Sequence, residues 1–212
     1  MEVENLIIEV QDVVQDEKYD SSWVIGIFND ALNSIATSCR IPGLQSSADV
    51  VATATENHSD MPVAYLHDLY AATSITYPRG LIIAPNLKEL IVNELSDQTG
   101  VVQLVTVDGS VLNFRPIPEV TETLTLYFYT KPALLQQGDS FPDYIPEIMQ
   151  KDLFVNYALN AAYLQIEDGI DGRIPNTQKY AGLYTAAVAS LNKFFPNVPK
   201  GRVVITRAGS FF

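Results

Sequence analysis

Hydrophobic positions in the first forty residues recur with the spacing of α-helices. From residue 3 to residue 14 apolar side chains return every three or four positions while acidic side chains occupy the other face, which predicts an acidic amphipathic helix that ends near Asp16. A second stripe of the same period runs from Val24 to Ala36. The residues from Asp20 to Ser22 offer N-caps for this second helix, and Pro42-Gly43 is expected to stop it. The chain therefore opens with two predicted helices.

The middle of the chain changes character, because the helical period mostly disappears between about residue 48 and residue 135. β-Branched and aromatic residues gather there in short runs separated by turn formers, which is typical of strands. Asp108-Gly109 lies between two of these runs and predicts a hairpin with a type I′ turn. Asn86 is placed to cap a short helix from Leu87 to about Glu94. The predicted strands lie near Val50 to Thr55, Ala71 to Tyr77, Val101 to Val107, Val111 to Arg115 and Thr123 to Thr130.

Two more helices are predicted after the strands. Pro146 is well placed as the first residue of a helix that runs to about Ile166, and the apolar positions of this helix lie nearly all round, which indicates burial on several sides. The segment from Glu167 to Arg173 holds three carboxylates and two glycines, but it lacks the residue order of a calcium-binding loop, so a turn between helices is favoured. Asn176 is placed to cap the last helix, and Pro196 ends it.

These elements predict an α+β fold, with a helical bundle of about four helices, an inserted antiparallel β-rich block and an extended C-terminal arm. We expect the bundle to comprise residues 1–44 and 140–195, the β-rich insertion residues 45–139, and the arm residues 196–212. The arm contains the β-prone run from Val203 to Ile205 and closes with Phe211-Phe212. A basic, extended segment of this kind is able to add a strand to another subunit, although a frayed terminus has the same composition.

The charge of the chain is strongly negative and unevenly distributed. The net charge is −12, and the first twenty residues carry seven acids against one base, Lys18. From Gly172 onward six bases meet no acid. The two ends are therefore able to pair, within a subunit or between neighbours packed head to tail, or to remain solvated faces that never meet. The overall acidity argues against nucleic acid as a tightly held ligand, since phosphate binding needs a basic surface.

The sequence contains no residues with the spacing of a known catalytic or metal site. Cys39 is the single cysteine, and with His58 and His67 beside it no familiar zinc or haem spacing exists. A hydrolase that uses one of these histidines with a nearby aspartate is the weaker interpretation, because no glycine-framed serine completes a triad. We therefore expect no catalytic residues, no cofactor and no bound metal, and a reducing cytoplasm as the place of synthesis.

The aromatic residues admit a second interpretation besides core packing. Trp23 and the tyrosine-rich runs are able to form a stacking platform for bases or sugars, but such a platform needs interleaved basic residues, and Lys131 is the only base near the aromatic strand. Core packing is therefore favoured. No apolar run reaches the ~18 residues that a membrane-spanning helix needs, so we expect no membrane partner.

Several short motifs follow one another in a characteristic order over most of the chain. The first are Trp23, the run from Asp30 to Ile35, and Met61-Pro62 ahead of the segment from Leu87 to Leu95. The later ones, in chain order, are Gly100, Asp108-Gly109, Leu112, Pro116-Ile117-Pro118, Leu124, Leu126, Tyr129, Pro132, Leu134, Asp139-Ser140-Phe141-Pro142, Tyr157-Ala158 and Ala161-Ala162-Tyr163. With these motifs in this order, the chain resembles the head-to-tail adaptor (connector, head-completion) proteins of tailed bacteriophages.

The resemblance implies a structural protein of the virion, located at the head–tail interface, that is not an enzyme. Such adaptors form a homo-oligomeric ring, commonly of twelve subunits, which docks beneath the portal protein and offers its far side to tail or nozzle proteins. Genomic DNA passes through the lumen without specific binding, and a lumen that bears Asp and Glu would repel its phosphates. The alternative is a phage tail or baseplate accessory protein that binds carbohydrate through the β-rich block at Tyr127 to Tyr129.

Two contact surfaces are expected under this resemblance. The C-terminal tail of such adaptors tends to embrace the portal. For the contact between subunits, the charge distribution pairs an acidic first helix with bases near the end of the chain. The portal contacts are then expected at Arg202, Val204, Ile205, Arg207, Phe211 and Phe212, and the contacts between subunits at Glu4, Glu9 and Asp12 on one side and Lys193 and Lys200 on the other.

Overall fold

A computed structural model of the chain describes residues 1–76, 80–92, 98–167 and 174–195. This described part confirms the α+β prediction, because it combines five α-helices with several mainly antiparallel sheets. The described residues fall into two compact units. The helical unit consists of Met1–Leu44 and the described part of Lys131–Val198, and the β unit consists of the described part of Gln45–Thr130.

The helical unit is organised around one central helix. The α-helices of the described chain are α1 (Val3–Val14), α2 (Ser21–Ser38), α3 (Leu87–Val92, in the β unit), α4 (Glu147–Ile166) and α5 (Pro175–Phe194). Within the helical unit, α1, α2 and α5 each pack against α4. The prediction that α4 is buried on several sides is confirmed, since side chains from Gln150 to Ala162 are buried around it.

Three phenylalanine rings form the centre of the helical unit. Phe28 from α2 and Phe154 from α4 lie with their ring centroids 5.8 Å apart, and Phe141, which precedes α4, lies 4.3 Å from Phe154. All three side chains are almost fully removed from water. Each such burial contributes roughly 1.5–3 kcal/mol, so this cluster is a principal source of stability for the unit.

Hydrogen bonds join the two distant parts of the sequence that make up the helical unit. The backbone N–H of Val3 donates to the carbonyl oxygen of Asp139 at 3.0 Å, and the N–H of Phe141 donates to the carbonyl of Met1 at 3.0 Å. On α2, the side-chain amide of Asn29 donates to the Leu135 carbonyl and accepts from the Leu135 N–H, at 3.1 and 2.7 Å. The chain that returns from the β unit is thus fixed to α1 and α2.

The β unit contains three groups of paired strands. The strands are β1 (Gln45–Ala52), β2 (His58–Asp60), β3 (Tyr65–Ser74), β4 (Ile82–Ile83), β5 (Thr99–Gly100), β6 (Leu104–Asp108), β7 (Val111–Arg115), β8 (Ile117–Pro118) and β9 (Glu122–Thr130). The first sheet has the order β1-β9-β3 and is antiparallel, the second has the order β2-β7-β6-β4, and β5 pairs with β8. The pairs β4–β6 and β5–β8 are parallel, which the prediction of an antiparallel block did not anticipate.

Alternation along the strands builds a single apolar core for the β unit. On β9 the inward positions are Leu124, Leu126 and Phe128, and all three side chains are buried. They belong to the same cluster as Leu112 and Phe114, which occupy the inward positions of β7. The two larger sheets therefore share one core, as expected when period-two patterns bring apolar side chains to one face of each strand.

The predicted hairpin is present, but its turn differs from the prediction. Asp108 pairs with Val111, so the two-residue loop is Gly109-Ser110. Of these two loop residues Gly109 alone has a positive φ, of 61°. A type I′ turn requires positive φ at both central positions, whereas type II′ places glycine at the first. The pattern is therefore that of type II′.

Candidate assembly surfaces

The first predicted surface, the acidic side of α1, lies on the outside of the helical unit. Val3, Leu6, Ile7 and Val10 are buried against the unit. The opposite side of the helix exposes half of the Ile8 side chain. Glu4, Ile8 and Asp12 follow one another at intervals of four residues and so form one row on this side, which we call the α1 row.

The three predicted acids of α1 differ in their surroundings. Glu9 forms an ion pair with Lys151 of α4, so this acid is already engaged within the subunit. Neither Glu4 nor Asp12 forms an ion pair with another residue in the part of the chain that the structure describes. Sequence reasoning missed Lys151, because nothing in the local pattern indicates that it faces α1.

The helix α5 is poorly covered by the rest of the unit. Thr177 and Leu191 are its only buried residues. Its contact with α4 includes two aromatic pairs, Tyr157 with Tyr184 and Tyr163 with Tyr180. Beside these contacts α5 carries an exposed row with a lysine at each end, which we call the α5 row: Lys179, Leu183, Ala186, Ser190 and Lys193.

The predicted contact residue Lys193 lies in the last turn of α5 and forms no ion pair among the described residues. Its position at a helix C-terminus is one that favours a cation. Its predicted companion Lys200 lies outside the described residues, and so do all the predicted portal contacts: Arg202, Val204, Ile205, Arg207, Phe211 and Phe212.

A groove runs between α4 and α5 alongside the α5 row. It has a volume of about 220 Å³ and is lined by side chains from both helices. Two further apolar side chains of these helices are also uncovered: Ile148, next to Met149 in sequence, is 82% exposed, and Phe194, four residues after Ser190, is 53% exposed. The lining residues are Met149, Asp152 and Asn156 from α4, and Leu183, Ala186, Ala187 and Ser190 from α5.

A buried carboxylate holds the beginning of α5 in place. Glu167, which follows α4, accepts hydrogen bonds from the backbone N–H and hydroxyl of Thr177 at 3.0 and 2.8 Å. It also accepts from the backbone and side-chain N–H of Asn176, at 3.1 and 2.9 Å. Burial raises the pKa of Glu167, but these four hydrogen bonds outweigh it and hold the pKa below its usual value. The N-terminus of α5 is thus capped by Glu167, whereas Asn176 had been predicted as the cap.

The β unit carries a groove of its own, beside the end of β9. This groove of about 390 Å³ is lined in part by Ile75, Val101 and Val120, and Ile75 is 92% exposed. The carboxylate of Glu122, which also lines it, accepts hydrogen bonds from the hydroxyl of Thr76 and the backbone N–H of Val102, at 2.9 and 2.8 Å. This side chain therefore joins three segments of the unit at the groove.

The aromatic strand that could bind carbohydrate is partly closed to solvent. Tyr129 is fully buried, its ring stacks on that of His67 with centroids 5.1 Å apart, and its hydroxyl accepts a hydrogen bond from Gln45. Tyr127 is half-buried beside Tyr70. One of the two tyrosines named for the carbohydrate-binding alternative is therefore a core residue.

Comparison with known proteins assigns the chain to a family. A model of the family described as SU10 adaptor protein matches residues 1–203. A search of curated proteins gives no match. In the described ranges no group of acidic, histidine and cysteine side chains is arranged to hold a metal ion, and none of the helices there has the length and apolarity to cross a membrane. The family is one of structural phage proteins, components of the virion neck. The chain therefore belongs to the SU10 adaptor protein family of phage head-to-tail adaptors.

Proposed function

We propose that this adaptor forms a closed ring of identical subunits beneath the portal protein, connecting the capsid to the tail and letting DNA pass. The observation that carries the proposal is the family match, which includes both units of the fold and extends to residue 203. The exposed surface of α5 supports it, because a helix with so few buried residues is commonly completed by a partner.

The contact between subunits is proposed to use opposite charges on α1 and near the end of the chain. Glu4 and Asp12 are the acids best suited to this role, since they have no ion-pair partner among the described residues. Glu9 would have to share its carboxylate between Lys151 and a base of the neighbour, so its contribution is smaller. The bases are Lys193 and, outside the described residues, Lys200.

Salt tests this charged contact. If it contributes as proposed, ring formation weakens as the salt concentration rises, because screening shortens the reach of exposed charges. Sedimentation of the adaptor–portal mixture over a salt series measures the fraction of adaptor in rings. Assembly that is indifferent to salt up to molar concentrations would remove the charge argument for Glu4 and Asp12.

The contact with the portal is proposed to use the C-terminal residues Arg202, Val204, Ile205, Arg207, Phe211 and Phe212. Their support is chemical: a β-prone run can add a strand to a sheet edge, and terminal aromatic residues can anchor in a pocket. Truncation after Pro199 is expected to abolish the binding of the adaptor to isolated portal. Particles that still join heads to tails normally after this truncation would contradict the assignment.

Passage of DNA without binding is supported by the sign of the charge. The described residues of the β unit carry eight acids against two bases, Lys88 and Arg115. An acidic surface repels phosphate, so DNA that passes near it is not held. Isolated rings should therefore show no retardation of duplex DNA in a gel, even at low salt. Tight DNA binding would contradict a conducting lumen.

The mass of the assembly tests the proposal as a whole. Native mass spectrometry of the adaptor alone and with purified portal is expected to show a change from one copy to a full ring, because binding to a template shifts the equilibrium toward the assembled state. Portal mixed with an unrelated acidic protein serves as the control. A single-copy mass in the presence of portal would overturn the ring proposal.

A further inference from the structure

The exposed rows on α1 and α5 have complementary chemistry. The α1 row places an isoleucine between two acids, Glu4 and Asp12. The α5 row places leucine, alanine and serine between two bases, Lys179 and Lys193. The middle of each row is partly exposed, with Ile8 at 50% and Leu183 at 44%. An acid–apolar–acid row thus faces solvent on one helix and a base–apolar–base row on another.

The dimensions of the two rows are compatible. At 1.5 Å of rise per residue, the two acids of the α1 row are separated by about 12 Å along the helix axis and the two lysines of the α5 row by about 21 Å. The flexible four-carbon stem of each lysine allows its ammonium group to lie several ångströms inward from its own turn of helix. Both acids can therefore face a lysine at the same time while Ile8 lies on the apolar middle.

The α4–α5 groove provides the surface on which such a helix can lie. On the α5 side the groove is lined by the small side chains of Ala186, Ala187 and Ser190, so the backbone of a second helix is able to approach closely. Asp152 adds one acid to the α4 wall. Asn5, which is exposed on the same side of α1 as Ile8, carries an amide that can donate to this carboxylate.

The helix that fits this groove belongs to a second copy of the chain. In its own subunit α1 is already packed through Val3, Leu6, Ile7 and Val10, and its row faces solvent. As far as the described residues go, each subunit therefore offers one uncovered α1 row and one open groove. A contact that joins two different surfaces repeats from subunit to subunit and closes into a ring when the rotation allows.

We propose that α1 of one subunit lies in the α4–α5 groove of the next, with Ile8 against Leu183 and Ala186, Glu4 facing Lys179 and Asp12 facing Lys193. This inference rests on the proposed ring. It adds Ile8, Leu183 and Lys179 to the interface and makes its centre apolar, so that charge governs register and partner choice more than affinity.

A charge exchange across the interface is the first test. In portal-dependent ring assembly followed by native mass spectrometry, Asp12→Lys and Lys193→Asp should each raise the adaptor concentration needed for rings by about tenfold, or about 1.4 kcal/mol, because each substitution places two like charges opposite one another. The chain with both substitutions should recover ring formation, because every interface then pairs the exchanged charges. Glu17→Lys, an exposed acid outside the row, is the matched control and should have no effect.

An apolar substitution is the second test. Leu183→Arg should prevent ring formation while leaving the circular dichroism and thermal transition of the isolated subunit unchanged, since this side chain is nearly half exposed. Leu164→Arg is the matched control, because Leu164 is 55% exposed on α4 and does not line the groove. Normal rings from the Leu183→Arg chain would overturn this inference and leave the proposed function standing.

The outcomes separate the two proposals. A wild-type chain that forms no ring with portal refutes the proposed function itself. A wild-type ring combined with no recovery in the doubly exchanged chain refutes the assignment of α1 to the groove. If Asp12→Lys and Lys193→Asp each leave portal-dependent ring formation at the wild-type level, these charges do not meet across the interface and this inference is wrong.

Discussion

The two units of this adaptor complete their packing to different extents. In the β unit the exposed large apolar residues include Val63, Ile75 and Val120, which lie just outside the ends of strands. In the helical unit they include Ile8 on α1 and Leu183 on α5, within regular helices. The strands bury most of their apolar positions within the unit, although Val51 on β1 and Ile82 on β4 are 51% and 40% exposed, whereas α1 and α5 keep apolar surface in the middle of an exposed face.

This difference indicates where a ring would obtain its additional buried surface. A helix that buries one apolar face in its own subunit and carries a second, partly apolar face on the outside is suited to two neighbours, one in its own subunit and one in the next. The β unit has a groove beside Ile75 and Val120, but Glu122, which also lines it, is already hydrogen-bonded within the unit. The helical unit is accordingly the better candidate for contact between identical subunits.

The largest change in stability that tests this comparison is expected from removing a ring at the centre of the helical unit. Phe154→Ala deletes a ring that lies against both Phe28 and Phe141 and is fully buried, so we expect a loss of about 3–5 kcal/mol in the free energy of unfolding. The measurement is urea unfolding followed by the fluorescence of Trp23, the single tryptophan, which lies on α2 in this unit.

Phe114→Ala is the matched substitution in the β unit, where Phe114 is equally buried. It should lower the hydrogen-exchange protection of β6, β7 and β9 by a similar free energy. If Phe114→Ala shifts the urea transition reported by Trp23 fluorescence as much as Phe154→Ala does, the two units do not have separate cores.

A smaller effect is expected at Gly43, in the 3₁₀ turn Pro42–Leu44 that follows α2. A Cβ atom at this position would overlap the Cβ atom of Tyr144, which is close to the backbone and cannot swing away. Gly43→Ala should therefore cost about 1–3 kcal/mol, as overpacking does. Gly26→Ala in α2 is the control, because its Cβ would meet nothing within 4 Å and should stabilise the helix by about 0.5–1 kcal/mol. Equal effects of the two substitutions on the Trp23 transition would refute the close approach.

A glycine substitution at Gly109 tests the β unit as Gly43→Ala tests the helical unit, but here the expected loss of stability comes from backbone conformation and not from a steric contact. Its φ of 61° is unfavourable for alanine, and an added Cβ would meet nothing within 4 Å, so strain alone acts. We expect Gly109→Ala to cost about 1–2 kcal/mol. Ser110→Ala, at the next position of the turn, should be nearly neutral. The protection of β6 and β7 amides against hydrogen exchange measures both, and a neutral Gly109→Ala would contradict the type II′ turn.

The elements that local patterns determine were predictable from the sequence. The apolar period located α1, α2 and α5, Pro146 located the beginning of α4, and Asn86 caps α3 as predicted, accepting from the Glu89 N–H at 2.9 Å. The hairpin at Gly109 was predictable because glycine supplies the positive φ that a tight turn needs. These features depend on neighbours within a few residues.

The features that the sequence did not reveal depend on contacts between distant residues. Gly43 was interpreted as a helix stop, yet its small size is required by Tyr144, about a hundred positions later. The pairing of Glu9 with Lys151 and the incomplete burial of α5 likewise follow from how helices pack. The predicted portal contacts and Lys200 lie outside the described residues, so they stay predictions.

The smallest effect is expected at Glu167, because it concerns only the first turn of α5. Glu167→Gln keeps the size of the side chain but leaves one acceptor oxygen in place of two, so the N–H groups of Asn176 and Thr177 lose part of their hydrogen bonding. At neutral pH the Thr177 amide should exchange faster in the variant than in the wild type, which NMR-detected hydrogen exchange measures directly. Gln165→Glu, an exposed position near the end of α4, is a control that should leave this amide unchanged.

The pH dependence of this effect has a definite sign. Because the pKa of Glu167 is lowered in the folded protein, its carboxylate contributes stability above the ordinary value of 4.5, and that contribution is lost as the pH falls through the folded pKa. The ratio of Thr177 exchange rates in variant and wild type should therefore approach one in acid, and intrinsic exchange cancels in this ratio. A ratio that stays constant with pH would show that the ionised carboxylate does not hold α5. A ratio that approaches one in acid would show instead that the charge of Glu167, which is not part of the α5 row, positions the helix that carries this row. Acid would then loosen the proposed groove without changing the charge of its lysines.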